Sequence, residues 1–248
     1  MIEFRGLHKS FDGHEVLRGV DLVVPEGQTL ALLGGSGTGK SVLIKHAIGL
    51  LTPDAGDVFV DGVSIVEADE ASLRAVRRRV GYVFQNSALF DSLNVGENLR
   101  LAMDDALAAD RQAWKRAAQD LLQRVNLDAG VADKFPGELS GGMRKRVGVA
   151  RAIASNPQYV LYDEPTTGLD PVNADTIDGL ILQLARELGV TSIVVTHDLD
   201  SAFLVADRIA MLYEGRIHIS ASPAELLESS DPIVQRFVQR ARARPAVA

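Results

Sequence analysis

Apolar positions along this chain follow more than one period. Over residues 1–30 they come in short alternating runs, Val20–Val24 among them, punctuated by Gly13 and Pro25–Gly27, a pattern that predicts antiparallel strands. Val58-Phe59-Val60 and Val63-Ser64-Ile65 flank Asp61-Gly62, a pair suited to the positive φ angles of a tight hairpin turn. Thr29–Leu33, Tyr159–Tyr162 and Ser192–Thr196 are instead continuous apolar runs, as expected of strands covered on both faces in a parallel sheet. Between the last two, Ile177, Leu180, Ile181, Leu184 and Leu188 recur at helical spacing. Asp170 suits the N-cap of that helix, Pro171 its first turn and Gly189 its end. Strand, helix, strand in this order predicts a βαβ unit, and hence an α/β fold.

Residues 88–155 read differently. They are rich in Ala, Leu, Arg and Asp, and Trp114 to Val125 is the plainest helix of what is expected to be a helical insert. Near the end, Ser222-Pro223-Ala224-Glu225 is a capping-box pattern that opens a C-terminal helix. Its Arg- and Ala-rich end from Arg240 is expected to fray. The predicted organisation is therefore a core of 1–87 and 156–221 with an N-terminal β part, a helical segment 88–155, and a tail 222–248.

Composition narrows the function classes. Of 248 residues, 46% are apolar and 24% charged, which is ample for a buried core. The formal charge of −7 speaks against nucleic acid as a partner, because phosphate neutralisation needs a basic face. With no cysteine, disulfides, thiolate metal sites and a cysteine nucleophile are excluded together. The N-terminus has no signal-peptide core, and no apolar window approaches the ~18 residues of a membrane span. A soluble intracellular protein, reaching a membrane only through a partner, is expected.

Three segments carry chemistry. Gly34-Gly35-Ser36-Gly37-Thr38-Gly39-Lys40-Ser41 matches G-x-x-x-x-G-K-[ST] and follows the apolar run Leu30–Leu33. Such glycines let backbone N–H groups converge on phosphate oxygens at the start of the next helix. Lys40 is expected to reach the β- and γ-phosphates and the Ser41 hydroxyl to bind Mg²⁺. Tyr159–Tyr162 ends in Asp163-Glu164, acids at the strand edge where α/β sheets bind ligands. Asp163 suits Mg²⁺, directly or through water, and Glu164 suits a general base for the attacking water. Leu139-Ser140-Gly141-Gly142 precedes Met143-Arg144-Lys145-Arg146, the opening of a helix, and forms a second anion site that a single γ-phosphate does not need.

The set resembles the ATP-binding subunit of an ABC transporter over about residues 2–220. Walker A corresponds to Gly34–Ser41, the signature to Leu139–Met143 and Walker B to Tyr159–Glu164. The resemblance implies an ABC ATPase nucleotide-binding domain, with a RecA-like core, an antiparallel β subdomain and a helical subdomain, that hydrolyses ATP with Mg²⁺. It also implies roles for single residues. Phe11 resembles the aromatic that stacks on adenine, although Tyr is commoner there. Gln85 resembles the Q-loop residue that contacts Mg²⁺ and senses the membrane partner. Asp170 resembles the D-loop residue that communicates between subunits, and His197 the switch histidine on the γ-phosphate. In this family two copies face head to tail, so Ser140, Gly141 and Gly142 would act on ATP held by the opposite copy. That accounts for the second anion site.

Details point to a subgroup. The signature reads LSGGM instead of LSGGQ, Gln85 is followed by NSALFDSLNV, and the tail carries Ser230–Phe237. These resemble the ATPases of Mla/Mce-type systems, which move phospholipid between bacterial inner and outer membranes. The segment Asn98–Met103 departs from the proline-bearing stretch common there. The resemblance implies a homodimer on the cytoplasmic face of the inner membrane, an integral permease, an MCE-domain protein and sometimes a STAS-domain protein. Phe237 would dock on the partner ATPase subunit, while Arg236, Arg240, Arg242 and Arg244 would meet anionic lipid or solvent. The competing expectations are the ATPase of an amino-acid-type importer and, behind it, a soluble non-transport ABC ATPase.

Overall fold

The computed structural model describes residues 1–242. Along the chain run β1 (Ile2–Phe11), β2 (His14–Val24), β3 (Thr29–Leu33), α1 (Lys40–His46), β4 (Ala55–Val60), β5 (Val63–Ser64) and α2 (Glu70–Arg78). Then come β6 (Val80–Val83), α3 (Val95–Arg100), α4 (Asp105–Ala109), α5 (Arg111–Arg124), α6 (Gly141–Ala152), β7 (Tyr159–Asp163) and α7 (Pro171–Leu188). The chain closes with β8 (Thr191–Thr196), α8 (Leu199–Val205), β9 (Arg208–Tyr213), β10 (Arg216–Ala221), α9 (Pro223–Glu228) and α10 (Pro232–Arg242).

Packing divides the chain into two units, one of Met1–Leu73 with the chain from Thr191 onward, the other of Arg74–Val190. In the first unit β1 pairs antiparallel with β2 and β4, and β4 turns back into β5. The Asp61-Gly62 turn has both residues at positive φ, 50° and 76°, as the sequence suggested. β3 lies between parallel β8 and β9, and β10 adds antiparallel to β9. Every residue of β3 and β8 is buried, which is why their sequences do not alternate. Each fully buried Leu of β3 contributes roughly 1.5–3 kcal/mol relative to exposure.

The C-terminus corrects two expectations. The capping box forms at Ser222, but the helix it opens stops at Glu228, and Asp231 starts a second by accepting from the N–H groups of Ile233 and Val234. Phe237 is partly buried: with Ile233 it packs against the chain's own cluster of Leu33, Ala202, Met211, Leu226, Val234 and Val238. α10 continues to Arg242, past the residue where fraying is expected, and Arg236 is exposed. Arg244, with the rest of 243–248, and the side chains of Arg240 and Arg242 lie outside the described residues.

In the second unit β6 and β7 are parallel, and no other strand occurs between Arg74 and Val190. The stretch from Val95 to Ala152 is helical, including short 3-10 turns at Ala129–Asp133 and Pro136–Glu138. α7 has the termini its sequence announces: Asp170 caps Asn173, Pro171 sits in the first turn, and Gly189 ends it at φ 61°.

Candidate active site

In the first unit the register pairs Leu33 of β3 with Thr196 of β8. Gly34 and His197 therefore leave the sheet at the same, C-terminal edge, where α/β sheets bind ligands. The loop from Gly34 runs to Gly39, which begins α1 at φ 100°. A Cβ on Gly34 would lie 2.6 Å from the Leu212 carbonyl oxygen, and one on Gly39 would lie 2.7 Å from Val16 Cγ1. A Cβ on Gly37 would meet nothing within 4 Å. The loop is thus walled where it touches the fold and bare on its rim, a cradle that admits a phosphate close to the backbone.

Lys40 is buried, and its ammonium donates to the carbonyls of Gly34 (3.0 Å) and Gly35 (2.8 Å). Phosphate oxygens, being charged, are stronger acceptors than these carbonyls, so the lysine is placed to exchange one set for the other. Phe11 stands at the tip of the β1–β2 hairpin, 41% exposed, with the Lys9 ammonium 5.4 Å from its ring centre. An exposed ring of this kind is free to stack on a ligand, unlike a core aromatic. His197 is exposed at its sheet edge.

The second unit repeats the arrangement. Val83 of β6 pairs with Tyr162 of β7, so Gln85 and the pair Asp163-Glu164 follow the same edge. Asp163 is buried, and its Oδ2 accepts from Tyr82 Oη at 3.0 Å. Burial first, and then the Asp163 charge, pushes the Tyr82 phenol up from its usual pKa, keeping it a donor. Glu164 has φ 47°, a left-handed conformation that a non-glycine residue holds only with support. Thr167 supplies part of it, donating Oγ1 to Glu164 Oε2 at 2.9 Å and its N–H to the Glu164 carbonyl at 3.3 Å.

Ser140 caps α6, its Oγ accepting from Met143 N at 3.2 Å. Gly142 is buried so tightly against Asn173 that any side chain there would overlap the Asn173 amide. Asn173 in turn donates its Nδ2 (2.6 Å) and its backbone N–H (3.1 Å) to Asp170. Those two bonds hold the Asp170 carboxyl below the usual carboxylate range. Gly142 and Asp170 are therefore joined through one asparagine.

The sequence-predicted residues fall in two sets. Phe11, Gly34–Ser41 and His197 are in the first unit, and Gln85, Ser140–Gly142, Asp163, Glu164 and Asp170 are in the second. Tyr82, Lys145, Thr167 and Asn173, which touch the second set, were not anticipated. Lys145 left no trace, being the middle of three cations in Arg144-Lys145-Arg146.

The expected Mg²⁺ donors are a hydroxyl (Ser41), an amide oxygen (Gln85) and one carboxylate (Asp163), all hard oxygen groups. Among the described residues no cluster of three or more His, Cys, Asp or Glu is built to hold a metal. This donor set fits a cation that completes its shell with water and phosphate oxygens, as Mg²⁺ does.

The sequence model described as ABC transporter matches residues 17–167, spanning the phosphate loop, the signature and the Asp163-Glu164 pair. The chain belongs to the ABC transporter ATP-binding family. It is similar to the methionine import ATP-binding protein MetN of Caulobacter vibrioides, 41% identical over 97% of this chain and 73% of that one. It is also similar to the probable ribonucleotide transport ATP-binding protein mkl of Mycobacterium leprae, 38% identical over 98% of this chain and 70% of that one. Among solved structures, the dimeric post-hydrolysis state of the ATP-binding cassette MJ0796 bound to ADP and Pi superposes with a TM-score of 0.82 at 30% identity, covering 90% of this chain and 99% of that one. cbiO1 from Clostridium perfringens, part of the cbiONQ transporter complex, gives 0.80 at 28% identity, covering 97% and 96%. The fold is that of an ABC ATPase nucleotide-binding domain, and the chain is an ATPase.

Proposed function

We propose that this ATP-binding subunit powers phospholipid movement between bacterial inner and outer membranes through an integral permease. Phe11 stacks on adenine, the Gly34–Gly39 backbone and Lys40 take the β- and γ-phosphates, and Ser41, Gln85 and Asp163 are the residues that would hold Mg²⁺. Mg²⁺, when bound, screens the phosphate charge. Glu164 accepts a proton from the attacking water as its oxygen bonds to the γ-phosphorus and ADP leaves. His197 donates a hydrogen bond to the γ-phosphate. Ser140, Gly141 and Gly142 serve ATP held on a second copy, and Asp170 links the two copies.

The observation carrying the nucleotide chemistry is the glycine-rich cradle with buried Lys40 folded onto the Gly34 and Gly35 carbonyls. The cargo reading is supported by the ALFDSL block after Gln85, where Phe90 is 57% exposed and suited to meet a permease. Among the described residues no helix is long and apolar enough to cross a membrane. We place the chain on the cytoplasmic face of the inner membrane, held there by the permease, with an MCE-domain protein and at times a STAS-domain protein completing the assembly.

A second reading, the ATPase of a small-solute importer, is favoured by the similarity to a protein named for methionine import. Affinity capture of the tagged chain from detergent-solubilised membranes, followed by mass spectrometry, separates the two. Recovery of a multi-span permease with an MCE-domain protein supports lipid transport. A permease with a solute-binding protein moves the assignment to import, and a complex without any permease overturns transport.

A further inference from the structure

One cation of the second unit is buried beside the reacting residues and has no place in the mechanism above. Lys145 projects from α6, the helix that Ser140 caps, and is 7% exposed. Its ammonium donates to the backbone carbonyl of Gln85 at 2.5 Å and to that of Glu164 at 3.3 Å. Burial lowers its pKa, while the Glu164 and Asp163 carboxyls oppose that shift. A buried ammonium is costly to desolvate unless it is well bonded, so a purely structural position would be better filled by an apolar side chain.

The same face of α6 continues at intervals of three residues. Gly148 admits Ser87, to whose Cβ a glycine Cβ would come within 3.3 Å. Arg151 donates to the carbonyls of Ser87 (2.8 Å) and Ala88 (2.6 Å). Those two residues are at φ 60° and 48°, so the segment after Gln85 is held in a shape it would not keep unaided. Lys145 is the member of this row that also reaches Glu164. Glu164 is itself at positive φ, and the orientation of its peptide sets where its carboxylate points.

We propose that Lys145 is a positioning residue for ATP hydrolysis, its ammonium tying the backbones of Glu164 and Gln85 together so that the Glu164 carboxylate meets the attacking water. The inference rests on Glu164 being the base. It predicts that the chemical step depends on Lys145 while nucleotide binding does not, because the carbonyls Lys145 holds belong to Gln85 and Glu164 and not to the Gly34–Ser41 loop.

The test compares the full chain with its K145M, K145Q and E164Q variants, reading kcat and KM for ATP and the affinity for a fluorescent ATP analogue. K145M is expected to lower kcat about tenfold or more, as removal of a preorganised contact in an active site does, with KM and analogue affinity within about twofold. K145Q, which keeps a neutral donor of shorter reach, is expected to fall between K145M and the parent. A K145M enzyme turning over at the parent rate overturns the inference, as does loss of analogue binding in both K145M and K145Q, which would make the residue structural. If E164Q itself retains the parent rate, the assignment of the base fails instead, and the two failures are told apart.

Discussion

Tyr82 and Asp163 share a buried hydrogen bond, hydroxyl to carboxylate, 3.0 Å long, across the parallel pair β6–β7. It fixes the one carboxylate among the expected Mg²⁺ donors. Tyr82→Phe removes this donor from the buried acid, at a cost of about 1–3 kcal/mol. Denaturant unfolding should show that loss. The Mg²⁺ concentration for half-maximal ATPase should rise severalfold, and an unchanged Mg²⁺ requirement would mean that Tyr82 serves the fold alone.

The phosphate loop offers a sharper test of shape. Gly34→Ala places a methyl 2.6 Å from the Leu212 carbonyl oxygen and 2.9 Å from Thr38 Oγ1, so the loop must shift. Titration with an ATP analogue should show affinity reduced about tenfold or more, a penalty in the range expected of a forced backbone adjustment. Affinity equal to the parent would show that the observed cradle is not the binding conformation.

His46 gives a pH dependence with a definite sign. It is fully buried in α1, its Nδ1 lies 2.7 Å from the Val42 carbonyl, and its Nε2 has no hydrogen-bond partner. Burial, the largest cause, pulls its pKa below the usual 6.5, with a smaller push in the same direction from Lys9; the Val42 and Leu43 backbone bonds and Asp54 oppose it. The unfolded chain therefore takes up a proton that the folded chain resists. Stability is unaffected above that value and declines as pH falls below it. Between about pH 7 and about pH 5 the Tm of the parent should fall more steeply than that of His46→Gln, and parallel slopes would contradict a neutral buried His46.

Much of this architecture was legible in short stretches of sequence, because short-range signals decide it. The phosphate loop, the Asp61-Gly62 turn, and the Asp170–Gly189 limits of α7 each depend on neighbours a few residues apart. Asp231-Pro232 repeats the Asp170-Pro171 start signal, although one continuous C-terminal helix is expected there from the sequence. The Lys145, Tyr82 and Arg151 contacts were not, since they join segments about 60 to 80 residues apart and exist only once strand register and helix packing are set. The packing of Phe237 against the cluster that includes Leu33 and Met211 shows the same limit, since it joins the tail to segments far back in the chain.

The signature residues are predicted to act on the opposite copy. Ser140 is exposed and Gly142 is pinned to Asn173, so a bulky cation at position 140 obstructs a nucleotide approaching the start of α6. Ser140→Arg should bind an ATP analogue within about twofold of the parent but lose hydrolysis, along with a helix cap worth ~1 kcal/mol. Retained ATPase activity would rule out the trans arrangement.

The most direct test of the account is the ATPase rate and oligomeric state of Glu164→Gln with saturating ATP and Mg²⁺. Glutamine keeps the size of the side chain and its contact with Thr167 but cannot accept the water's proton. The account predicts hydrolysis reduced by about a hundredfold or more, the range of a lost general base, with ATP binding intact and an ATP-dependent dimer emerging on size-exclusion chromatography. Hydrolysis near the parent rate, with no trapped dimer, would contradict it.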